Sequence, residues 1–358
     1  MKMIVRRTAL AVCTLVLALI LPTAASAACT RFDDVPETAD CYESVMYLAE
    51  CEIVAGTGND CFSPEQLITV EQWAVMLCRA YGAETIGDSW QDVGRSSVVE
   101  AYRQGWLNET ALSAPRSPMC RSVLVESAFA AADVPVYDST LYEGGTSLST
   151  ADNILRVGRE LGLCSDDADT NALVTRGDAA IILHVVLTQS FRIEEPPVPV
   201  TLVNAAGVNV NDFLLELRKL PEQVLDAFNA AGWTYRIDFD YISGLSKKLN
   251  MSCIGATNYS QKAIYISEAS ATLHEFGHFL DWTLGFPAEH EQLFRAEAAA
   301  APLRDYAKTN AREYFADCFA YWVKYAENAN AISLLQECAP LTFRYMGKIT
   351  DSGYTCSK

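Results

Sequence analysis

The segment covering residues 271–282 contains the side chains best suited to bind a metal ion. It reads Ala-Thr-Leu-His-Glu-Phe-Gly-His-Phe-Leu-Asp-Trp, with His274 and His278 four positions apart and Glu275 between them. On an α-helix, residues four apart share one face, so both imidazoles can reach a single Zn²⁺ with the glutamate beside its open position. The chain has only 4 histidines, and two of them are here. The pattern predicts a zinc site that activates water.

Two histidines leave a third protein ligand to be found. Glu297 lies 19 residues after His278, but its neighbourhood is an alanine-rich helix. Glu313 is the alternative, on a helix with an apolar, aromatic face, where a carboxylate is costly unless something pairs with it. Asp317 follows one turn later, where it can accept a hydrogen bond from a ligating histidine. We therefore favour Glu313 over Glu297 as the third ligand.

These two segments together resemble a known family of proteases. The His-Glu-Phe-Gly-His motif is followed by Tyr-Ala-Lys-Thr-Asn-Ala-Arg-Glu-Tyr-Phe-Ala-Asp at residues 306–317, with a tyrosine seven residues before the glutamate. This arrangement is similar to the protease domain of anthrax lethal factor and to the secreted Pro-Pro endopeptidases. The resemblance covers residues 205–352 and implies an α+β, zincin-type metallopeptidase domain that hydrolyses proline-rich extracellular proteins or peptides.

The resemblance also implies roles for individual residues. It makes His274, His278 and Glu313 the ligands of one Zn²⁺. It makes Glu275 the general base and Tyr306 the hydrogen-bond donor to the oxyanion. The relatives often have an acidic residue just before the ligand glutamate, whereas this chain has Arg312. The segment 262–267 is expected to form the edge strand that pairs with substrate. Tyr259, in the preceding loop, is expected to stack on substrate prolines.

Charge is distributed unevenly along the 358 residues, which carry a formal net charge of −18. Residues 28–192 contain 10 Arg, no Lys and 25 acidic residues, whereas residues 193–358 contain 14 basic and 20 acidic residues. Half of the residues are hydrophobic, which is typical of globular domains and argues against disorder. A surface this acidic repels phosphate backbones, so we expect no nucleic-acid partner.

The first 27 residues are typical of a secretory signal peptide. Three basic residues precede an apolar run at residues 9–21, and Ala-Ser-Ala follows at residues 25–27. We expect cleavage after Ala27 and no membrane attachment afterwards, because the run is shorter than the roughly 18 residues that a span needs. Export permits disulfides among the 11 cysteines of the mature chain, and the sequence does not decide their pairing.

A helical pattern recurs three times before residue 193. Each unit contains a helix, a turn rich in Gly or Asp, and a second helix with an apolar face, and we place the units at residues 28–82, 83–138 and 139–192. A single helix pair cannot bury its own apolar face, so the units must pack on one another. This half of the chain is therefore predicted to be all-α.

These units resemble S-layer homology domains. The resemblance is carried by the opening Phe-Asp-Asp-Val at residue 32, by Phe-Ser-Pro at residue 62, and by the start of each second helix. It implies attachment to acidic, pyruvylated cell-wall polysaccharide, with Arg121 and Arg176 as binding residues, whereas Val70 occupies that place in the first unit. An arginine at a helix N-terminus adds its charge to the positive end of the helix dipole, which favours an anion.

A proline-rich segment separates the two halves. Three prolines at residues 196, 197 and 199 exclude a helix or a central strand, so residues 193–201 are predicted to be an extended linker before a catalytic domain at 202–358. The linker itself contains a Pro-Pro bond, and self-cleavage there is a hypothesis that we rank below a simple stiff spacer.

The sequence thus predicts a secreted, wall-anchored zinc endopeptidase, with a zinc protease of other specificity or a non-catalytic surface protein as alternatives.

Overall fold

The polypeptide divides into two compact units within the proline-rich segment. The computed structural model describes residues 2–4 and 32–355, and the units are Met1–Glu195 and Pro196–Lys358. The predicted signal peptide, apart from residues 2–4, lies outside the described residues and stays a prediction. Across the described part of the chain, no helix combines the length and the apolar character needed to cross a bilayer.

The described part of the first unit contains seven α-helices and one short strand pair. The helices are α1 (Tyr42–Glu50), α2 (Val70–Tyr81), α3 (Trp90–Arg103), α4 (Glu109–Ser113), α5 (Arg121–Ala131), α6 (Thr150–Glu160) and α7 (Arg176–Thr188). Strand β1 (Lys2–Ile4) pairs antiparallel with β2 (Arg192–Glu194). Polar side chains start most of the helices; Thr69 and Gln72, for example, form a reciprocal capping box at the start of α2.

The helices pair between neighbouring repeats. Helix α2 packs on α3, α5 packs on α6, and α7 packs on α1. In each pair, the second helix of one predicted repeat lies against the first helix of the next, and the third repeat returns to the first. The three pairs therefore form a closed ring, which covers the apolar face that a single helix pair would leave exposed.

Backbone hydrogen bonds close the same ring at its centre. The N–H of Ile68 donates to the carbonyl of Val174 (3.0 Å), Val174 donates to Met119 (3.0 Å), and Met119 donates back to Ile68 (2.9 Å). The first residue of each following helix repeats this pattern, because the N–H groups of Val70, Arg121 and Arg176 donate to the carbonyls of Ser117, Ala172 and Gln66. The three helix starts are thus structurally equivalent.

The Phe-Asp-Asp-Val motif at residue 32 and its counterpart at residue 90 adopt different local structures. Phe32 is buried, and the carboxylate of Asp34 accepts hydrogen bonds from the N–H groups of residues 62 and 63 (2.8 and 2.7 Å). Trp90, which opens the similar Trp-Gln-Asp-Val of the second repeat, is 49% exposed and is the first residue of α3. The motif therefore builds a buried turn in the first repeat and a helix start in the second.

The two arginines predicted to bind polysaccharide lie in different surroundings. Arg176 is only 6% exposed; its Nε donates to the carbonyl oxygen of Phe62 (2.9 Å), and its Cζ lies 4.6 Å from the Phe62 ring centroid. Arg121 has a partly exposed side chain, and its Nη2 lies 3.9 Å from Oδ2 of Asp178. Arg176 therefore joins the third repeat to the first, whereas the Arg121 side chain is 22% exposed.

The second unit is an α+β domain with a four-stranded sheet. Its elements are β3 (Leu202–Asn204), α8 (Asn211–Leu217), α9 (Glu222–Ala230), β4 (Thr234–Ile237), α10 (Phe239–Leu249), β5 (Gly255–Asn258), β6 (Ala263–Ile266), α11 (Thr272–Thr283), α12 (Ala288–Glu297), α13 (Ala311–Lys324), α14 (Ala329–Cys338) and α15 (Pro340–Asp351). The strand order is β3-β4-β6-β5, with β5 antiparallel to β6 and the other neighbours parallel. A helix-rich domain with a small mixed sheet agrees with the predicted fold class.

The expectation that segment 262–267 is the edge strand was wrong. Strand β6 lies between β4 and β5, and all four of its residues are buried because α10 contacts one face of the sheet and α11 also packs against this strand. The edge strands are β3 and β5, and β5 lies within the segment that the sequence placed in a loop. The short run Gly-Ala-Thr-Asn gives little strand signal, because glycine and asparagine are uncommon in strands.

The buried contact of Arg176 leads to a prediction about stability. Arg176→Ala should lower the free energy of unfolding by about 1.5–3 kcal/mol, because it removes a charge-assisted hydrogen bond from a buried site. Arg103→Ala, on an exposed arginine of α3, should change it by less than about 0.5 kcal/mol. Urea unfolding of the full chain measures the change, and hydrogen exchange in α1 and α7 localises it. Equal effects of the two substitutions would contradict the structural role.

Candidate metal centre

Helix α11 buries both faces, including its polar residues. Its apolar side chains pack into an aromatic core, where the Phe276 and Phe279 rings contact Phe228 at 4.8 and 5.1 Å between centroids. His274 and His278 are also buried, at 7% and 8% exposure. Since a buried polar group must find a partner, the imidazoles require groups supplied by other elements.

Helix α13 supplies those partners. The Asn310 side chain begins the helix by accepting hydrogen bonds from the N–H groups of residues 312 and 313 (3.0 and 3.1 Å). Glu313 in the first turn and Asp317 one turn later then lie on the same face, as their spacing predicts. Both carboxylates meet α11.

A close approach of the two helix backbones makes this meeting possible. A Cβ added to Gly277 would lie 2.6 Å from Cα of Ala316 and 2.7 Å from its carbonyl oxygen. Real Cβ contacts are not this short, so only glycine fits at this position of α11. The crossing lies one residue before His278 on α11 and between Glu313 and Asp317 on α13.

Three side-chain atoms converge where the helices cross. Nε2 of His274 lies 3.1 Å from Nε2 of His278, and Oε2 of Glu313 lies 3.1 and 3.3 Å from the two nitrogens. A tetrahedral Zn²⁺ with bonds of about 2.0–2.1 Å separates its ligands by about 3.3 Å, so the spacing fits such an ion. Among the described residues, these three form the one cluster of at least three potential ligands at metal-binding distances.

The electrostatics of the cluster favour a cation. Burial raises the pKa of Glu313, but its interactions with His274 and His278 outweigh burial and hold the pKa well below its usual range. Burial lowers the pKa of His274, but Asp317 and Glu313 outweigh it and raise the pKa to about 9. The cluster therefore attracts positive charge, which a divalent cation provides when it replaces the proton.

Asp317 orients His274. Its Oδ1 lies 2.6 Å from Nδ1 of His274, on the far side of the ring from the converging atoms. Arg304 binds both oxygens of the same carboxylate, with Nε to Oδ2 at 2.6 Å and Nη2 to Oδ1 at 2.7 Å. The bidentate pair holds Asp317 as the acceptor for a proton on Nδ1 of His274, so Nε2 is the atom that would face a metal ion. The sequence indicated Asp317 but not Arg304.

Glu275 faces the same cleft from the other side of α11. Its Oε2 accepts a hydrogen bond from the Thr257 hydroxyl of β5 (2.7 Å). A Cβ on Gly255 would lie 2.7 Å from Oε1 of Glu275, so the glycine leaves room for the carboxylate. Strand β5 therefore positions Glu275, although no local sequence pattern indicates that Thr257 or Gly255 contributes to the site.

Tyr306 lies above the cluster on the short 3₁₀ helix Asp305–Lys308. Its ring centroid lies 6.2 Å from that of His274, and the side chain is 42% exposed. Burial, followed by the negative charges of Glu313 and Glu275, raises the pKa of Tyr306 to about 12. The hydroxyl therefore keeps its proton at neutral pH and can donate a hydrogen bond into the cleft.

The cluster opens into a cleft of about 770 Å³. The predicted ligands, Glu275 and Tyr306 all line it, together with Gly255, Ala256 and Thr257 of the edge strand. This volume is within the usual range for ligand sites. Arg121 and Arg176 belong to the first unit and do not contribute to this cleft.

Glu297, the alternative third ligand, has another function. It is buried, and its two oxygens accept hydrogen bonds from the backbone N–H groups of Leu341 and Thr342, both at 2.7 Å. These N–H groups belong to the first turn of α15 and have no partner within their own helix. Glu297 therefore caps α15 and is absent from the metal cluster.

A second buried network lies behind the site. Nδ1 of His290 lies 2.7 Å from Oδ1 of Asp281, its Nε2 lies 2.8 Å from the Tyr345 hydroxyl, and its ring stacks on Phe315 at 3.8 Å. One histidine thus connects α11, α12 and α15 and packs on α13. Sequence reasoning missed this network, because its members are far apart in the chain and form no recognisable motif.

Two protein family models match parts of the chain. Residues 217–349 match the family model described as "Anthrax toxin lethal factor, N- and C-terminal domain". Residues 31–72 match the model described as "S-layer homology domain". The chain therefore combines an S-layer homology domain with a lethal factor-like domain, which confirms the two predicted families to this extent. The combination indicates a metalloprotease attached to the cell wall or S-layer.

A solved structure and the curated proteins complete the comparison. The Pro-Pro endopeptidase PPEP-2 from Paenibacillus alvei is 18% identical, with a TM-score of 0.33. The alignment covers 41% of this chain and 96% of that chain. No curated protein matches the sequence.

The helix crossing leads to a prediction with a matched control. Gly277→Ala should lower the free energy of unfolding by about 1–3 kcal/mol, because the added methyl overpacks the crossing. It should also weaken zinc binding by about tenfold or more, because the ligands on the two helices move apart. Gly347→Ala lies inside α15 with no atom within 4 Å of the new methyl, so it should leave zinc binding intact and raise the free energy of unfolding by about 0.5–1 kcal/mol. Urea unfolding and zinc titration measure these effects, and similar losses in both variants would contradict the role of the crossing.

Proposed function

We propose that the chain is a secreted, wall-anchored zinc endopeptidase that cuts extracellular proteins or peptides at proline-rich, Pro-Pro-containing sites. The observation that carries the proposal is the convergence of His274, His278 and Glu313 in a cleft that also contains Glu275. Two imidazoles and one carboxylate are a usual ligand set for a catalytic zinc ion with an open position.

The chemistry assigns a task to each side chain. Zinc, when bound, supplies a Lewis acid that acidifies water and polarises a carbonyl group. Glu275 then takes a proton from the attacking water and delivers it to the leaving amine, while the Thr257 hydroxyl holds the carboxylate in position. Asp317 keeps His274 oriented throughout, because Arg304 prevents the carboxylate from turning away.

Tyr306 is proposed to donate to the substrate carbonyl as that oxygen gains negative charge. Its raised pKa keeps the hydroxyl protonated, and its position at the rim lets it reach a bound peptide. Removing one such donor commonly costs a factor of about 10²–10³ in rate. Proline specificity is supported by the sequence resemblance and by Tyr259, a half-buried aromatic side chain that lines the cleft.

The anchor is proposed to contain three S-layer homology repeats at 28–82, 83–138 and 139–192. The family model covers only part of the first repeat, and the closed ring of helix pairs supports the other two. We keep Arg121 and Arg176 as the proposed contacts to acidic wall polysaccharide; the partly exposed side chain of Arg121 supports its role more directly. The signal peptide at 1–27 and the linker at 193–201 complete the proposed organisation.

Self-cleavage of the linker stays a hypothesis. Pro196 is buried and Pro197 is exposed, and the Asn229 side chain donates to the carbonyl oxygen of Pro199 (2.9 Å). The linker would have to leave these contacts before its Pro-Pro bond entered a cleft. The stiff-spacer interpretation therefore remains the preferred one.

A non-catalytic surface protein is the alternative from another class. Such a protein has no need of a base and a hydroxyl donor at its metal cluster, whereas Glu275 and Tyr306 are both present in the cleft. Measurement of bound zinc and of peptide hydrolysis by the full chain separates the two functions. Zinc without hydrolysis of any proline-containing peptide would favour the alternative.

The ligand set and the base are tested by three substitutions. Glu313→Ala should lose both zinc and activity, whereas Glu275→Ala should keep zinc and lose activity by a factor of about 10²–10⁴. Glu297→Ala should keep its zinc and lose stability, because it leaves the start of α15 uncapped. Metal analysis and peptide cleavage by each full-length variant provide the readouts. Full zinc occupancy in Glu313→Ala, with loss only in Glu297→Ala, would overturn the ligand assignment.

The anchor is tested by binding to purified, pyruvylated cell-wall polysaccharide. Arg121→Ala should weaken binding by the full chain, and the double substitution with Arg176→Ala should weaken it further. Added salt should also weaken binding, because the ligand is anionic. Arg103→Ala is the control at an exposed arginine. Unchanged binding by the double variant would exclude these two arginines as the polysaccharide site.

A further inference from the structure

The cleft wall next to Glu313 contains a positive charge that the fold does not neutralise. Arg312 is exposed and lines the cleft. Within residues 32–355 its guanidinium forms no ion pair, whereas Arg304, the other arginine of the cleft, is held by Asp317. An unpaired cation on the wall of a binding cleft is available to a ligand.

Phe286 holds this cation in place. Cζ of Arg312 lies 4.4 Å from the centroid of the Phe286 ring, within the range of a cation–π interaction. Phe286 has a backbone φ of 54° and is 38% exposed, directly after Gly285 at the end of α11. A positive φ is rare for a bulky residue, and here it directs a phenyl ring toward the arginine. Arg312 is therefore partly preorganised, which lowers the entropy cost of binding.

The Phe286 ring that packs on Arg312 also contacts a residue that lines the cleft. The Phe286 ring contacts Tyr259 edge-on at 5.5 Å between centroids, and Tyr259 lines the cleft. Burial and the charge of Asp281 raise the pKa of Tyr259 to about 12, while the positive charge of Arg312 acts to lower it. The field of Arg312 thus reaches the surface that a peptide would occupy.

Among the described residues, each other charged side chain that lines the cleft lies at the metal cluster or is already paired, so Arg312 is the one available to bind a charged ligand. Glu275 and Glu313 lie at the metal cluster, and Glu291 at the rim is an i,i+4 neighbour of Arg295, which binds it at 2.7 Å. We propose that Arg312 binds a carboxylate of the substrate, so that the preferred peptides have Asp or Glu close to the scissile bond. This inference rests on the proposed peptidase function and specifies its substrate class.

Matched peptides test the proposal on the full-length, zinc-loaded protein. Each set has a Pro-Pro core and differs at one flanking position, which is Asp, Asn or Lys. The Asp peptide should have a kcat/KM about threefold to fivefold above that of the Asn peptide at the best position, which is the size expected for an exposed ion pair. The preference should shrink as salt increases, because the pair is open to solvent.

Substitutions of the arginine and its support make the test specific. Arg312→Gln should abolish the preference for Asp, and Arg312→Glu should transfer it to the Lys peptide. Phe286→Leu should reduce the preference while the charge remains, because the guanidinium loses its support. Arg218→Gln, at an exposed arginine outside the cleft, should leave the preference unchanged.

Binding separates a failure of this proposal from a failure of the proposed function. Fluorescence anisotropy of labelled Asp and Lys peptides on full-length Glu275→Ala protein reports the charge preference without cleavage. The proposal is supported if the protein binds the Asp peptide better in this assay and if the double variant Glu275→Ala and Arg312→Gln loses that preference. This holds even if the wild-type protein cuts no peptide, because a lack of cleavage would refute only the peptidase function. Equal binding of Asp and Lys peptides, or a preference that survives Arg312→Gln, would overturn it.

Discussion

The proposed metal site depends on how closely two helices approach each other at Gly277 and Ala316. The two imidazoles belong to one helix and the ligand carboxylate to the other, so the distance between their axes sets the distance between the ligands. A side chain at residue 277 would collide with backbone, which cannot move aside as a side chain can. The requirement for glycine in the middle of a helix, where it lowers stability, is explained by this contact.

The close approach of the helices brings several ionisable side chains together, and surrounding residues offset or hold their charges. Two histidines and three carboxylates meet in a largely buried space, where an uncompensated charge is expensive. Arg304 compensates Asp317 on one side and Thr257 holds Glu275 on the other. A divalent cation would compensate Glu313. A bound divalent cation would therefore stabilise the site, which would couple metal binding to folding of the domain.

The sequence allowed prediction of the parts of the site that depend on short-range periodicity. His274 and His278, and likewise Glu313 and Asp317, are one helical turn apart, so helix geometry alone places each pair on one face. Arg304 and Thr257 reach the site only through tertiary packing, and no local pattern marks them. The edge strand was misplaced for the same reason, because the order of strands in a sheet is not encoded in any one strand. In the anchor, the recurring helix starts were visible, but their closure into a ring was not.

That closure has a consequence for how the anchor resists force and truncation. A linear array of repeats has two ends, which need caps and from which the array can fray. In the ring formed by Ile68, Met119 and Val174, each repeat has two neighbours, so none is terminal. Loss of one repeat would expose two interfaces at once and open the ring. The ring therefore couples the three helix pairs, so that a force applied to α7 is shared with α1, on which it packs.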